Sequence, residues 1–162
     1  MRTLSLLLLL SLVVSLSAAV PEGSFVGVRS FGAGAIFGEP TALSAKWNMT
    51  PGNALAFHLG WSLGTNGING GVDYLFHQPW VTLPWRPYLG VGGRLGIWGN
   101  NKFKDDNPDA TNFHLAGRGL VGIEYLFLGG QLGAAAELGL GLTILPGIGL
   151  DISGGIAIRY YF

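Results

Sequence analysis

Residues 150–162 read LDISGGIAIRYYF. Taken in steps of two, Leu150, Ile152, Gly154, Ile156, Ile158, Tyr160 and Phe162 are apolar apart from one phenol, and Asp151, Ser153, Gly155, Ala157, Arg159 and Tyr161 lie between them. Strict alternation over this whole stretch predicts one long strand and excludes an amphipathic helix, whose apolar positions recur at three to four residues. At roughly 3.3 Å per residue and a tilt near 45°, about ten such residues cross the hydrocarbon core of a bilayer. The strand is long enough to span a membrane.

Composition agrees with that reading. The chain has 162 residues, of which 49% are hydrophobic and only 11% charged, with 28 glycines and no cysteine. A soluble surface needs more charge than this. Part of the apolar excess belongs to the start of the chain: Arg2 is a short basic region, LSLLLLLSLVVSL is a leucine-rich run too short for a spanning helix, and Ser17-Ala18-Ala19 offers small residues for cleavage. Residues 1–19 therefore read as a cleavable Sec-type signal peptide and 20–162 as one barrel domain. Without cysteine there is no lipid-attachment site and no disulfide framework. Losing Arg2 with the leader leaves eight basic residues against nine acidic ones. That balance offers no electrostatic footprint for nucleic acid.

Past the leader no second stretch of about 18 apolar residues occurs, so a membrane fold here must be a closed β-barrel, the other architecture that satisfies every backbone group in lipid. Alternation recurs on cue. Leu43, Ala45, Trp47 and Met49 alternate with Ala42, Ser44, Lys46 and Asn48, and Leu55, Phe57, Leu59 and Trp61 with Ala54, Ala56, His58 and Gly60. Further runs carry Val72, Tyr74 and Phe76; Leu89 to Ile97; Phe113 to Phe127; and Leu132 to Leu140. With a glycine-rich strand over 25–37 and the final strand, the count is eight: an all-β, antiparallel, up-and-down transmembrane barrel. Turn chemistry separates the runs at GEPT (38–41), TPGN (50–53), GTNG (64–67), HQPWVTLPWRP (77–87), LGG (128–130) and LPGIG (145–149), with a long polar connection over 99–112. If the chain enters from the periplasm, parity puts that long connection outside the cell and Phe162 at the periplasmic rim.

The rival is a soluble eight-stranded barrel with the apolar set inside. Charge placement decides between them. Lys46, Asp73, Arg94, Arg118, Glu124, Glu137, Asp151 and Arg159 all fall on the faces opposite the apolar sets, among Gly, Ala and Ser that would make a poor soluble exterior. These four cations and four carboxylates are expected to fill the lumen as a neutral, salt-bridged plug, since an eight-stranded barrel has room only for side chains and buried charges persist only when paired. Counting from the turns places Lys46, Asp73, Glu124 and Arg159 near the periplasmic end and Arg94, Arg118 and Glu137 at mid-height. Trp47, Tyr74, Phe76, Tyr125 and Phe127, with Tyr160 and Phe162, are expected to form an aromatic girdle at the periplasmic interface. Trp61, Phe37, Ile97 and Phe113 mark the opposite one.

On these residues the chain resembles the small outer-membrane β-barrels, the class that includes OmpA, OmpX and OmpW. The resemblance implies that Ile156, Ile158, Tyr160 and Phe162 form the signal read by the barrel-assembly machinery, and that the protein resides in the bacterial outer membrane. FGEPTALSAKW in the first hairpin and the closing RYYF are similar, more narrowly, to uncharacterised barrels of the BAPKO type, whose family supplies no mechanism.

Sites of chemistry are sparse. Acyl transfer, as in lipid-modifying barrels, needs a hydroxyl, a base and an orienting acid within reach, and the candidates are His58 with Ser62, His114 and Asp151. No motif brings them together, so the histidines are expected to be satisfied lumen residues and no catalytic residue is assigned. GVGGRLG (90–96) lies inside a strand and lacks the spacing of a phosphate loop, which leaves its glycines to make room for bulky neighbours across the lumen. Asp105, Asp106 and Asp109 lack the framework of a calcium loop. Asn48 of the Asn48-Met49-Thr50 sequon points inward. The expectation is a monomeric structural or interaction protein of the envelope, without metal or cofactor, whose partners are outer-membrane lipid, lipopolysaccharide and the assembly machinery. The alternative is a narrow channel for apolar molecules or a lipid-modifying enzyme, with TILPGIG at 143–149 as gate or lipid contact.

Overall fold

The computed structural model describes residues 29–62, 67–78, 84–99 and 111–162. The leader, most of the 25–30 stretch and residues 100–110 lie outside them. Eight antiparallel strands close a barrel in chain order: β1 Phe31–Glu39, β2 Thr41–Asn48, β3 Asn53–Ser62, β4 Gly67–His77, β5 Trp85–Gly99, β6 Thr111–Phe127, β7 Leu132–Leu145 and β8 Gly149–Tyr161. A single 3-10 turn, Leu128–Gly130, joins β6 to β7, and there Leu128, Gly129 and Gly130 all take positive φ. Gly129 and Gly130 supply that backbone at no steric cost.

The barrel is inside out relative to a soluble one. Leu43, Leu59, Leu95, Leu138, Leu140, Ile152 and Ile156 are exposed, whereas Lys46, Asp73, Glu124 and Arg159 are buried. Alternation on every strand produces this, because successive side chains point to opposite faces of the sheet. Burying eight strands' worth of charge while exposing a continuous apolar belt is disfavoured in water and is the arrangement lipid requires.

Two boundaries differ from the sequence reading. The first strand runs over Phe31–Glu39 rather than 25–37, because it stops only where Pro40 turns the chain. The connection 77–87 is also shorter: β4 continues through His77 and β5 begins at Trp85. Pro84 and Pro87 make that stretch look like a turn, but Pro87 lies just beyond the last β4–β5 pair, His77↔Tyr88, so its missing N–H interrupts no ladder bond there.

The strands are staggered. A ladder row that begins at Phe31 passes Trp47, Leu55, Tyr74, Val91, Gly119 and Leu140 and arrives at Ile152. Phe31 itself sits beside Phe162, which donates its N–H to the Phe31 carbonyl at 2.8 Å. The row has climbed from 162 to 152 along β8 in one circuit, which is the shear that tilts the strands. Height in the barrel therefore depends on the climb of the rows from strand to strand as well as on distance from the nearest turn.

Candidate functional site: the polar lumen

The inward face carries a chain of ion pairs in three tiers, starting at the end that holds Phe31 and Phe162. In the first tier Glu124, fully buried, accepts from Lys46 Nζ at 2.8 Å and from the Tyr161 hydroxyl, with Arg86 Nη1 at 3.5 Å and Arg159 Nη1 at 3.9 Å. Arg159 also donates from Nη2 to Glu137 at 2.7 Å and from Nε to Ser44 Oγ at 2.9 Å. Tyr88 donates to the same Glu137 oxygen at 2.7 Å, and its ring lies 5.0 Å from Lys46 Nζ. In the second tier Arg118 grips Asp73 with two bonds, Nε to Oδ1 at 2.9 Å and Nη2 to Oδ2 at 2.5 Å, and donates to Ser153 Oγ at 3.1 Å. Paired forks of this kind are the strongest geometry a guanidinium and a carboxylate can adopt. The third tier is one pair, Arg94 with Asp151, and a bond between His114 Nε2 and Thr143 Oγ1 at 2.8 Å.

In three of these contacts a glycine stands between the partners. Asp73 and Arg118 share a ladder row with Gly92 on the strand between them. Tyr88 reaches Glu137 across Gly122, and Arg159 reaches Ser44 across Gly34. An alanine methyl at Gly92 would land on the Asp73 carboxylate, and one at Gly122 on the Tyr88 ring. At Gly32 it would come within 2.5 Å of the Tyr161 ring. Partners two strands apart lie close to 10 Å apart along the sheet, so long side chains meet only if the strand between them presents nothing. The glycines of GVGGRLG thus make room for neighbours on the adjacent strand, Leu75 beside Gly90 and Asp73 beside Gly92, rather than across the lumen.

All eight charged residues anticipated for the lumen are inward, but their grouping differs. Asp73 belongs to the middle tier with Arg118, and Glu137 to the first tier with Arg159. The stagger accounts for both, since counting from turns ignores the climb of the rows. Arg86 is a lumen residue that the turn-like prolines concealed; it is buried against Glu124, with which it is paired on the β5–β6 ladder. The lumen charges so far named on the strands are then five cations to four carboxylates rather than a neutral set. Extending the alternation backwards from Leu89 through Pro87 to Trp85 would have found it, and Trp85 with it.

The remaining candidates fall into place around this network. Trp47, Trp61, Tyr74, Phe76, Tyr125 and Phe127 all point outward. Ring contacts tie Tyr74 to Phe76 at 4.8 Å, Tyr125 to Phe127 at 4.5 Å, Trp85 to Tyr125 at 4.7 Å, Tyr160 to Phe162 at 5.2 Å and Phe31 to Phe162 at 6.4 Å. Trp61 lies on the row of Thr41, Ile68, Ile97 and Phe113 at the opposite end. Ile156 and Ile158 are outward on β8 in the same apolar line as Tyr160 and Phe162. Asn48 is buried and donates to the Arg29 carbonyl at 2.9 Å.

Among the described residues, the acyl-transfer candidates His58, His114 and Asp151 are each held by other groups. His58 Nδ1 faces Asp73 Oδ2 at 3.6 Å and Arg118 Nη2 at 3.4 Å, while its Nε2 side packs against Gly71. Ser153 Oγ is held by Arg118, His114 by Thr143, and Asp151 by Arg94. Asp105, Asp106 and Asp109, and the Ser62 side chain, lie outside the described residues.

No family model and no curated protein matches this chain. Among solved structures it is similar to the crystal structure of the N-terminal β-barrel domain of Pseudomonas aeruginosa OprF, at a TM-score of 0.69 and 19% identity, over 85% of this chain and 100% of that one. At that identity the likeness is one of fold: this chain has the closed eight-stranded barrel of the OprF domain.

Proposed function

We propose that the chain is exported, loses residues 1–19, and spans the bacterial outer membrane as a small barrel whose lumen is plugged by its own ion pairs, with a structural or interaction role in the envelope. The observation that carries this reading is the inversion of the barrel, with apolar side chains outside and paired charges inside. Tyr160, Phe162, Trp47, Tyr74, Phe76, Tyr125, Phe127 and Trp85 then form the periplasmic girdle, and the end bearing the β5–β6 connection faces outward. In this orientation Ile156, Ile158, Tyr160 and Phe162 present the assembly signal to the insertion machinery. The polar connection 100–110 is the segment long enough to contact a large partner, as loops on rigid scaffolds commonly do. Outer-leaflet lipid and lipopolysaccharide surround a monomer. What supports a non-catalytic role is that His58 is held between the Asp73 carboxylate and the Arg118 guanidinium rather than by a hydroxyl it could activate.

Fractionation with N-terminal sequencing, followed by planar-bilayer recording, tests the proposal. The mature chain is expected to start at Val20, to co-fractionate with outer membrane, and to give small or no conductance steps. Recovery in the soluble fraction would overturn the location, and large stable channels would overturn the plug. Changing Phe162 to Ser should lower the yield of folded, heat-modifiable barrel more than Phe103→Ser; equal yields would remove the terminal aromatic as a signal.

A further inference from the structure

The barrel wall has a step in it. β8 pairs with β7 along its whole length, up to Thr143↔Gly149, but with β1 only as far as Glu39↔Gly154. Among the described residues no strand lies on the β1 side of residues 149–153, because the β1–β2 hairpin turns at Pro40 and β2 descends from Thr41. At about 3.3 Å per residue the step is roughly 16 Å along the strand, where the shear alone would account for little more than one residue.

Which backbone groups this leaves exposed follows from the ladder. Phe162 donates its N–H towards β1 and Tyr161 towards β7. Since the two edges of a strand alternate, the N–H and C=O of even-numbered β8 residues face β1. In the step those are Leu150 and Ile152, while Asp151 and Ser153 turn their backbone to β7. Ile152 lies eight residues from the girdle residue Tyr160, roughly 18 Å towards the outer leaflet at a tilt near 45°, and so inside an apolar band about 25 Å tall. Hydrogen-bonding groups left unsatisfied in hydrocarbon are heavily disfavoured, so the step has to be occupied by something polar.

Its surroundings narrow the occupant. The lips are apolar and exposed: Phe37, Leu43, Ile148, Leu150 and Ile152. At the foot of the step lies a cavity of about 20 Å³, lined by Glu39, Pro40, His58, Arg118, Glu137 and Ser153. That volume admits about one water and nothing larger. Two residues of open edge are too few for a docking strand. A lipid whose head carries amide and hydroxyl groups next to its acyl chains meets both demands, offering donors and acceptors to the open edge and apolar chains to the lips. We propose, on the basis of the outer-membrane reading above, that the step between β8 and the β1–β2 hairpin seats the head of an N-acylated glycolipid of the outer leaflet, its amides and hydroxyls on the Leu150 and Ile152 backbone and its chains along Leu43, Phe37 and Leu150.

The test is residue-resolved amide exchange by NMR on the mature protein in phosphatidylcholine nanodiscs, with and without lipid A. Without lipid A, the Leu150 and Ile152 amides should exchange far faster than those of Asp151 and Ser153. Adding lipid A should slow Leu150 and Ile152 about tenfold or more and leave Val91 unchanged. Protection of both amides before lipid A is added means the wall is closed and overturns the step; no slowing, or equal slowing by extra phosphatidylcholine, overturns the glycolipid. Proline supplies a second arm: Ile152→Pro removes an N–H that makes no ladder bond and should fold to wild-type yield, whereas Ile158→Pro, whose N–H faces β1 within the paired region, should not. Failure of Ile152→Pro to fold while the wild type does would show that this N–H is already paired within the chain. A protein that never inserts into nanodiscs breaks the membrane reading itself, whereas one that inserts with Leu150 and Ile152 protected breaks only this inference.

Discussion

The two ends of the lumen solve the same problem differently. At the end that holds Phe31 and Phe162, Glu124 and Glu137 are shared among Lys46, Arg86, Arg159, Tyr88 and Tyr161, and Lys46 and Glu124 have no exposed surface at all. At the opposite end Arg94 and Asp151 form a single pair, 7% and 8% exposed. The first arrangement is a network in which no member can leave without stranding a buried charge. The second is one guanidinium buried with one carboxylate. The difference teaches that sharing a charge among several partners and pairing it once are separate arrangements, and that the shared one stands where Lys46 and Glu124 have no contact with solvent.

Three substitutions probe that contrast. The largest effect is expected for Glu124→Gln, which leaves Lys46 and Arg86 without their shared carboxylate; about 3–5 kcal/mol of stability should be lost, read from urea unfolding of the barrel in lipid vesicles. A loss below about 1 kcal/mol would mean that water enters the floor and the network is not a seal. Next comes Gly92→Ala, whose methyl meets Asp73 and should break the Asp73–Arg118 fork at a loss of roughly 1–3 kcal/mol. Combining it with Arg118→Ala checks the mechanism, because the two losses should be far from additive if the glycine acts through that pair. Smallest is Arg94→Ala, expected at about 1 kcal/mol, the low end of the cost of leaving one buried group without its partner. If Arg94→Ala equals Glu124→Gln, the two ends do not differ and the contrast fails.

A fourth expectation concerns conductance rather than stability. Glu124→Ala should raise the frequency of small conductance steps in planar bilayers, whereas Asp151→Ala should leave the trace close to that of wild type. The reverse ranking would place the tightest part of the lumen at the end that holds Arg94 and Asp151.

Much of this was legible in the linear chain. The period-two pattern of residues 150–162 and its echoes specified strands, and the segregation of Lys46, Asp73, Glu124 and Arg159 from the apolar sets specified which face was inside, because a side chain's face depends only on its parity along a strand. Pro84 and Pro87 hid Arg86 and Trp85, since proline carries the same local signal at a turn and at the end of a ladder. Partner choice was out of reach. Asp73 meets Arg118 only because Gly92 falls between them, and Glu137 meets Tyr88 and Arg159 only through the rows that join β5, β6, β7 and β8.

The sequence by itself therefore determined strand number, the inward set of charges, the apolar exterior and the aromatic ends, all of which follow from local alternation. The tertiary structure alone decided which charges pair, at what height, across which glycines, and where the wall drops beside β8. Those depend on register between strands and on the shear of the closed barrel, quantities that belong to the whole circuit of eight ladders and to no single segment of chain.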